Sequence, residues 1–206
     1  MFTLWFMGRP SAGKSTLASR MEDRLTDTGY PIENLDGDDI RKHLHPDLGF
    51  SREDRRTNNR RTAYIAKLLN RNEIPVIVGM ITPFRDSQEQ ARDIIEEEGE
   101  FVQIYVKCSV EAAEERDPKR LYKQAREGDI EKFTGVNHPF QEPLNPEIVV
   151  ETETQSIDEC VNEVMSRLVT LGVLNEQLDD EYSFSITRTE ERDIINRLEE
   201  LGYLEK

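Results

Sequence analysis

The sequence predicts a three-layer α/β/α fold built on a parallel sheet, with a small helical extension at its C-terminal end. Three observations predict it. Apolar runs of strand length recur at residues 2–7, 76–81, 101–106 and 148–150. Amphipathic stretches of helical period lie between them, and that alternation places helices on both faces of a parallel sheet. The first run leads directly into Gly8-Arg9-Pro10-Ser11-Ala12-Gly13-Lys14-Ser15, which fits the Gly-x-x-x-x-Gly-Lys-Ser/Thr phosphate-binding pattern in the strand–loop–helix context that the pattern requires.

Each element has its own signal. After the aromatic-rich strand Phe2–Met7, Leu17, Met21 and Leu25 recur at helical spacing; Gly29 ends that helix and Pro31 follows it. A weaker strand is expected at residues 32–35. Ser51 with Asp54 three residues later marks a helix start, and the helix runs to Arg71. The strand of 76–81 is followed by a helix from Phe84 to Glu98, ended by Gly99. Beyond the strand of 101–106, a basic segment from Arg116 to Arg126 reads as helical. Residues 128–146 form a connection rich in proline and aromatic residues, and after the last strand a helix starts at Ser156 and stops at Leu171-Gly172-Val173-Leu174. The domain expected is therefore 1–174. Residues 175–206 are an addition: a polar, acidic linker, then a helix carrying Ile194, Ile195, Leu198 and Leu201 on one stripe, which packs either on the core or on a second chain.

The chemistry concentrates at the ends of the strands. Gly8 and Gly13 allow backbone approaches that a Cβ would block, so the amides of Gly8, Ser11, Ala12 and Gly13 can converge on phosphate oxygens at a helix N-terminus. Lys14 is expected to reach the β- and γ-phosphates and Ser15 to ligate Mg²⁺, with Thr16 near the α-phosphate. The plain alternative is a glycine turn between strand and helix. Asp36-Gly37-Asp38-Asp39 follows the second strand, where carboxylates face the crevice of a parallel sheet. One acid can hold the metal's water shell and the other orient or deprotonate an acceptor hydroxyl, or the acids simply cap the next helix. Arg41, Arg55, Arg60 and Arg61 surround Leu48-Gly49-Phe50; guanidiniums bind phosphate or sulfate as a planar fork, and Phe50 offers a stacking face, while a solvated helix face is the bland reading. Asn58 lies one turn from Arg55 and Arg61. Thr82 and Arg85 sit at the crevice end of the third strong strand, the basic segment 116–126 reads as a lid or as an ordinary surface helix, and Phe133-Thr134-Gly135 as a substrate-facing loop.

Composition bounds the partners. Lys and Arg total 27 against 42 Asp and Glu, a net charge of −15 over 206 residues, which argues against a nucleic-acid or anionic-membrane surface. Cys108 and Cys160 form no metal or disulfide pattern and are expected as reduced thiols in a cytoplasm; His43, His45 and His138 have no metal spacing and are expected on the surface or in loops. The apolar N-terminal run is broken by Arg9 and Pro10 too early for a signal peptide or a membrane span.

Taken together, the phosphate loop, Leu35-Asp36-Gly37-Asp38, Asp47-Leu48-Gly49-Phe50-Ser51-Arg52-Glu53-Asp54-Arg55, Pro83-Phe84-Arg85, Arg116-Asp117-Pro118-Lys119 with Leu121-Tyr122-Lys123, and Phe133-Thr134-Gly135 resemble the adenylylsulfate (APS) kinase family from about Leu4 to Val150. The resemblance implies a phosphate-loop kinase fold, a cytoplasmic homodimer, and ATP- and Mg²⁺-dependent phosphorylation of the APS 3′-hydroxyl to give PAPS. It places Phe50 on the APS adenine; Arg41, Arg55 and Asn58 on its phosphosulfate and sugar; Asp38 at the 3′-hydroxyl; Asp36 with Ser15 at Mg²⁺; and Arg116 by the ATP adenine. Thr82, Lys123 and Phe133 complete the acceptor side, Lys123 and Arg126 as parts of a closing lid. The chain departs from the family pattern at Arg9-Pro10-Ser11, where Leu-Ser-Gly is usual, at Asp39 for asparagine, at Thr82 for serine, and at Arg120 for glycine. Kinases of other nucleotide-like acceptors, such as cytidine diphosphoramidate, are similar too, and a non-catalytic nucleotide-binding module is the third reading.

Overall fold

A computed structural model describes residues 1–175. Five parallel strands, β1 (Phe2–Met7), β2 (Glu33–Asp36), β3 (Val76–Met80), β4 (Glu100–Lys107) and β5 (Ile148–Glu151), form one sheet in the order β2-β3-β1-β4-β5. The register sets Leu4 beside Ile77 on one side and Val102 on the other. All residues of β1 and β3 are buried, as expected of strands covered on both faces. At the sheet edge, β2 buries only Leu35, which is why its signal in the sequence is weak.

The helices divide between the two faces. On one, Ala63 and Ala66 of α3 (Arg52–Arg71) and Ala91 and Ile95 of α4 (Arg85–Ile95) share a core with Trp5, Met7, Val76, Val78, Met80 and Phe101. On the other, α1 (Lys14–Asp27) buries Leu17, Ala18, Met21 and Leu25 and packs beside α7 (Ile157–Thr170). Three short helices complete the described residues: α2 (Gly37–His43), α5 (Val110–Arg116) and α6 (Leu121–Glu127). Because α1 follows β1 on one face and α4 follows β3 on the other, the loops after these neighbouring strands part company, which opens a crevice at their carboxyl ends.

Several helix ends are set by the predicted devices. Ser51 with Asp54, and Ser156 with Glu159, form capping boxes. Gly29 and Gly172 take left-handed conformations (φ 88° and 76°), and the next residue's N–H returns to the helix, Tyr30 to the Leu25 carbonyl and Val173 to the Leu168 carbonyl. Gly99 plays a different part from the one expected. Helix α4 stops at Ile95 and is capped at Glu96, three residues short of the predicted Glu98. Gly99 instead lies against Asn70, where a Cβ would come within 2.3 Å of Oδ1. The strand predicted to reach residue 81 ends at Met80, because the chain turns at Thr82, whose φ is 42°.

Residues Met1–Val173 make up one unit. The helix predicted within 187–206, and the linker from 176 onward, lie outside the described residues. No helix among the described residues is long and apolar enough to cross a membrane. Cys108 and Cys160 are free and buried.

Candidate active site

The phosphate loop is shaped by positions where side chains are not tolerated or are strained. A Cβ on Gly8 would lie 2.4 Å from the Val106 carbonyl oxygen, so only glycine lets β1 pass β4 there. Gly13 (φ 98°) and Ser11 (φ 59°) are both left-handed. The loop curls around Lys14, which is buried and donates from Nζ to the Arg9 carbonyl at 2.6 Å. Burial pushes the Lys14 ammonium from 10.5 down to about 8, against the opposing pull of Asp38 and Asp36. Ala12 is fully buried, and its carbonyl accepts from Thr152 Oγ1 at 2.8 Å.

Ser15 and Thr16 follow Lys14 in the first turn of α1 and face the same cleft. The Ser15 hydroxyl donates to Asp36 Oδ2 at 2.8 Å. Asp36 also caps α2, accepting the Asp38 and Asp39 backbone N–H groups on Oδ1, so the same acid caps a helix and faces the cleft. A hydroxyl and a carboxylate held together beside the loop are hard oxygen donors of the kind Mg²⁺ takes while retaining waters. Asp38 is exposed, pairs with Lys119, and acts electrostatically on both Lys14 and Arg41.

A single cleft of about 1060 Å³ collects these groups. Its wall includes Ser11, Gly13, Lys14, Ser15, Thr16 and Arg116 of the phosphate-loop group, Arg41, Phe50, Arg55, Asn58, Thr82 and Phe133, and both Asp36 and Asp38. Arg41 and Arg55 flank the exposed Phe50 ring at 4.7 and 5.6 Å from its centroid. Arg41 is fixed by the Leu48 and Gly49 carbonyls, and Arg55 by the Phe50 and Lys132 carbonyls. Burial, then the charge of Arg41, brings Arg55 down to about 10, which leaves it charged at neutral pH. Asn58 is buried and pairs through Oδ1 with His45 Nδ1 at 2.8 Å. Thr82 is buried in a left-handed conformation that is unusual for a β-branched residue; its hydroxyl accepts from Trp5 Nε1 at 2.8 Å. Phe133 is buried edge-on to Tyr122, centroids 4.8 Å apart.

Other expected residues stand elsewhere. Lys123 is exposed outside the cleft wall and pairs with Glu127; Arg126 pairs with Glu114. The basic cluster also divides, because Arg60 is exposed and Arg61 turns to Asp47 at 2.9 Å, so neither joins Arg41 and Arg55 in the cleft. His45 lies in the loop after α2, one of the two expected settings, but is buried there with its ring held by Asn58. Sequence reasoning also missed Lys119, which reaches across to Asp38, and Thr152, which joins Arg116 to the phosphate loop. Thr152 follows the last strand at its carboxyl end, the one signal that pointed to it. Nothing in the spacing distinguishes Lys119 from its basic neighbours.

A parallel sheet in this order, with a glycine loop wrapped on a buried lysine and a serine–aspartate pair beside it, defines a phosphate-loop kinase. The family model for adenylylsulphate kinase matches residues 1–151. The adenylyl-sulfate kinase of Halothermothrix orenii is 42% identical over 173 residues, 84% of this chain and 92% of that protein. That of Staphylococcus carnosus is 44% identical over 165 residues, 80% and 82% of the two chains. The solved structure of the Mycobacterium tuberculosis APS kinase CysC, in complex with AMPPNP and APS, superimposes with a TM-score of 0.78 at 38% identity, covering 81% of this chain and 96% of that one. The chain belongs to the adenylylsulphate kinase family.

Proposed function

We propose that the protein transfers the γ-phosphoryl group of ATP to the 3′-hydroxyl of adenylylsulfate, giving PAPS and ADP. The observation that carries this reading is the shared cleft, lined by Lys14, by the Arg41–Phe50–Arg55 group and by Asp38, which lies within electrostatic reach of both Lys14 and Arg41. The loop amides and Lys14 bind the triphosphate. Arg41, Arg55 and Asn58 bind the phosphosulfate and sugar of the acceptor, and Phe50 and Phe133 its adenine. Asp38 accepts the proton of the 3′-hydroxyl as its oxygen bonds to the γ-phosphorus, and the bond to the β–γ bridging oxygen breaks, with ADP leaving. Ser15 and Asp36 would hold Mg²⁺, which supplies charge neutralisation on the β- and γ-phosphates. Catalysis of this kind is positioning plus charge stabilisation.

Arg116, anchored on Thr152 beside the loop, belongs by the adenine of ATP. Lys123 acts only when the lid moves, since its present partner is Glu127. The assembly we assign is a homodimer in the cytoplasm, with residues 175–206 appended to the kinase domain of 1–174. A related structure, a hexameric APS kinase from Thiobacillus denitrificans at 30% identity and TM-score 0.64, is a longer chain of which the match covers 30%. Light scattering on the purified protein decides the stoichiometry.

Incubation with ATP, Mg²⁺ and APS tests the reaction, and PAPS appears in a stoichiometric ratio to ADP. Protein that binds ATP and yields no PAPS sinks the proposal. An acceptor screen run beside it separates APS from other nucleotide-like alcohols.

A further inference from the structure

Arg9 stands in the phosphate loop at a position where the family pattern has an apolar residue, and its contacts leave the loop altogether. The side chain is 17% exposed. Its Nη1 donates to the Cys108 carbonyl at 3.2 Å, and both terminal nitrogens approach Glu142 Oε1 at 3.4 Å. The guanidinium lies 5.0 Å from the Phe140 ring centroid, and that ring stacks on Tyr105.

The segment that receives Arg9 is bound on its other side to the loop after β3. The Gln141 N–H donates to the Pro83 carbonyl at 2.8 Å, and its side-chain oxygen accepts from the Arg85 N–H at 3.0 Å. Arg85 Nε donates to the Glu142 carbonyl at 2.9 Å. Gln88 Nε2 bridges the Gln141 and Thr82 carbonyls. Meanwhile the Arg9 carbonyl holds Lys14 Nζ. One connected set of bonds therefore runs from the lysine of the donor seat to the threonine of the acceptor seat, and Arg9 is its link.

We propose that Arg9 is a positioning residue that couples the phosphate loop to the Thr82 side of the cleft, so that an acceptor seated beside Thr82 braces the loop that presents the γ-phosphate. This rests on the phosphotransfer reading above. Arg9 touches neither substrate; it acts by holding the Gln141–Glu142 segment against the loop. Removing a partly exposed ion pair of this kind changes a rate about fivefold rather than a thousandfold.

The test compares Arg9→Met, Glu142→Gln and the double variant. Each is assayed for kcat and KM with APS, and for affinity toward a non-hydrolysable ATP analogue with and without APS. Glu142 is half exposed, so Glu142→Gln disturbs the fold little even if Arg9→Met does not fold. Both single variants should keep analogue affinity within about twofold when APS is absent. Both should lose about fivefold in kcat/KM for APS, and the double variant should be no worse than either single one. Arg9→Lys should restore part of the loss by pairing with Glu142. Equal loss of analogue affinity without APS, additive effects in the double variant, or an unchanged kcat/KM in Glu142→Gln would each overturn the coupling. If the wild-type enzyme makes no PAPS, it is the phosphotransfer reading that fails.

Discussion

Lys14 carries the sharpest residue-scale consequence. Its ammonium is buried, and burial outweighs the attraction of Asp38 and Asp36. Its folded value of about 8 lies below the 10.5 of an exposed lysine, so above 10.5 the group is neutral in both folded and unfolded chains and costs nothing. Below 8 it is charged in both, and the full cost of roughly 3 kcal/mol is present in the ligand-free protein. Its contribution therefore rises toward zero cost as pH climbs through that window. A triphosphate restores the charge, so ATP binding at pH 9 should take up about one proton and at pH 7 almost none. Calorimetry in buffers of different ionisation enthalpy reads that uptake. Thr82 offers a second test. Thr82→Val leaves the buried Trp5 N–H without its acceptor and should cost about 1–3 kcal/mol in chemical denaturation. Thr82→Ser keeps the acceptor, and easing a strained φ offsets the lost methyl, so its change should stay within about 1 kcal/mol.

At the scale of elements, α6 is tied to the phosphate loop. Tyr122 of α6 is fully buried, and its hydroxyl donates to the Pro10 carbonyl at 3.1 Å. Burial raises that phenol to about 12, so it remains a donor throughout the working range. Tyr122→Phe keeps the packing on Phe133 and loses the bond; Tm should fall by about 2–4 °C in a thermal melt, the equivalent of about 1 kcal/mol. The elements also show where the sequence was legible and where it was not. Strands β1, β3 and β4 were readable because burial on both faces demands unbroken apolar runs, and α3 and α7 because their caps are written in side chains. The break between α5 and α6 was not readable. It depends on Asp117 capping α6 through the Leu121 and Lys123 N–H groups and on Arg120 taking a left-handed conformation at φ 55°, where the family pattern has glycine. The phosphate loop, the two aspartates and the Arg41–Phe50–Arg55 group were legible as groups that should meet, and they line one cleft. Which basic residues turn inward was not, because Lys119 and Lys123 differ only in where the turn before α6 points them.

Over the whole molecule, the two ends of the sheet do different work. The carboxyl ends of the strands carry the cleft, while the opposite end is fastened by Asn70, which accepts from Thr3 Oγ1 at 2.8 Å and donates to the Phe2 and Ile74 carbonyls. Because those bonds hold the amide in place, it cannot swing clear of a Cβ on Gly99. Gly99→Ala should therefore destabilise by about 2 kcal/mol and lower Tm by roughly 4–8 °C, with kcat unchanged below the melt. A fall in kcat at full folding would show that the two ends are not separable. The chain as a whole is strongly acidic, at −15, so the guanidiniums of Arg41 and Arg55 make a local positive seat within a repelling exterior. Across that seat, Lys119 lies on Asp38. That pair is open to solvent on both sides (63% and 73% exposed), so an acceptor can part it to reach the carboxylate we propose as the base, while Lys119 competes for that carboxylate until one arrives. Lys119→Ala removes that competitor, and the leak of ADP without acceptor should climb relative to productive turnover.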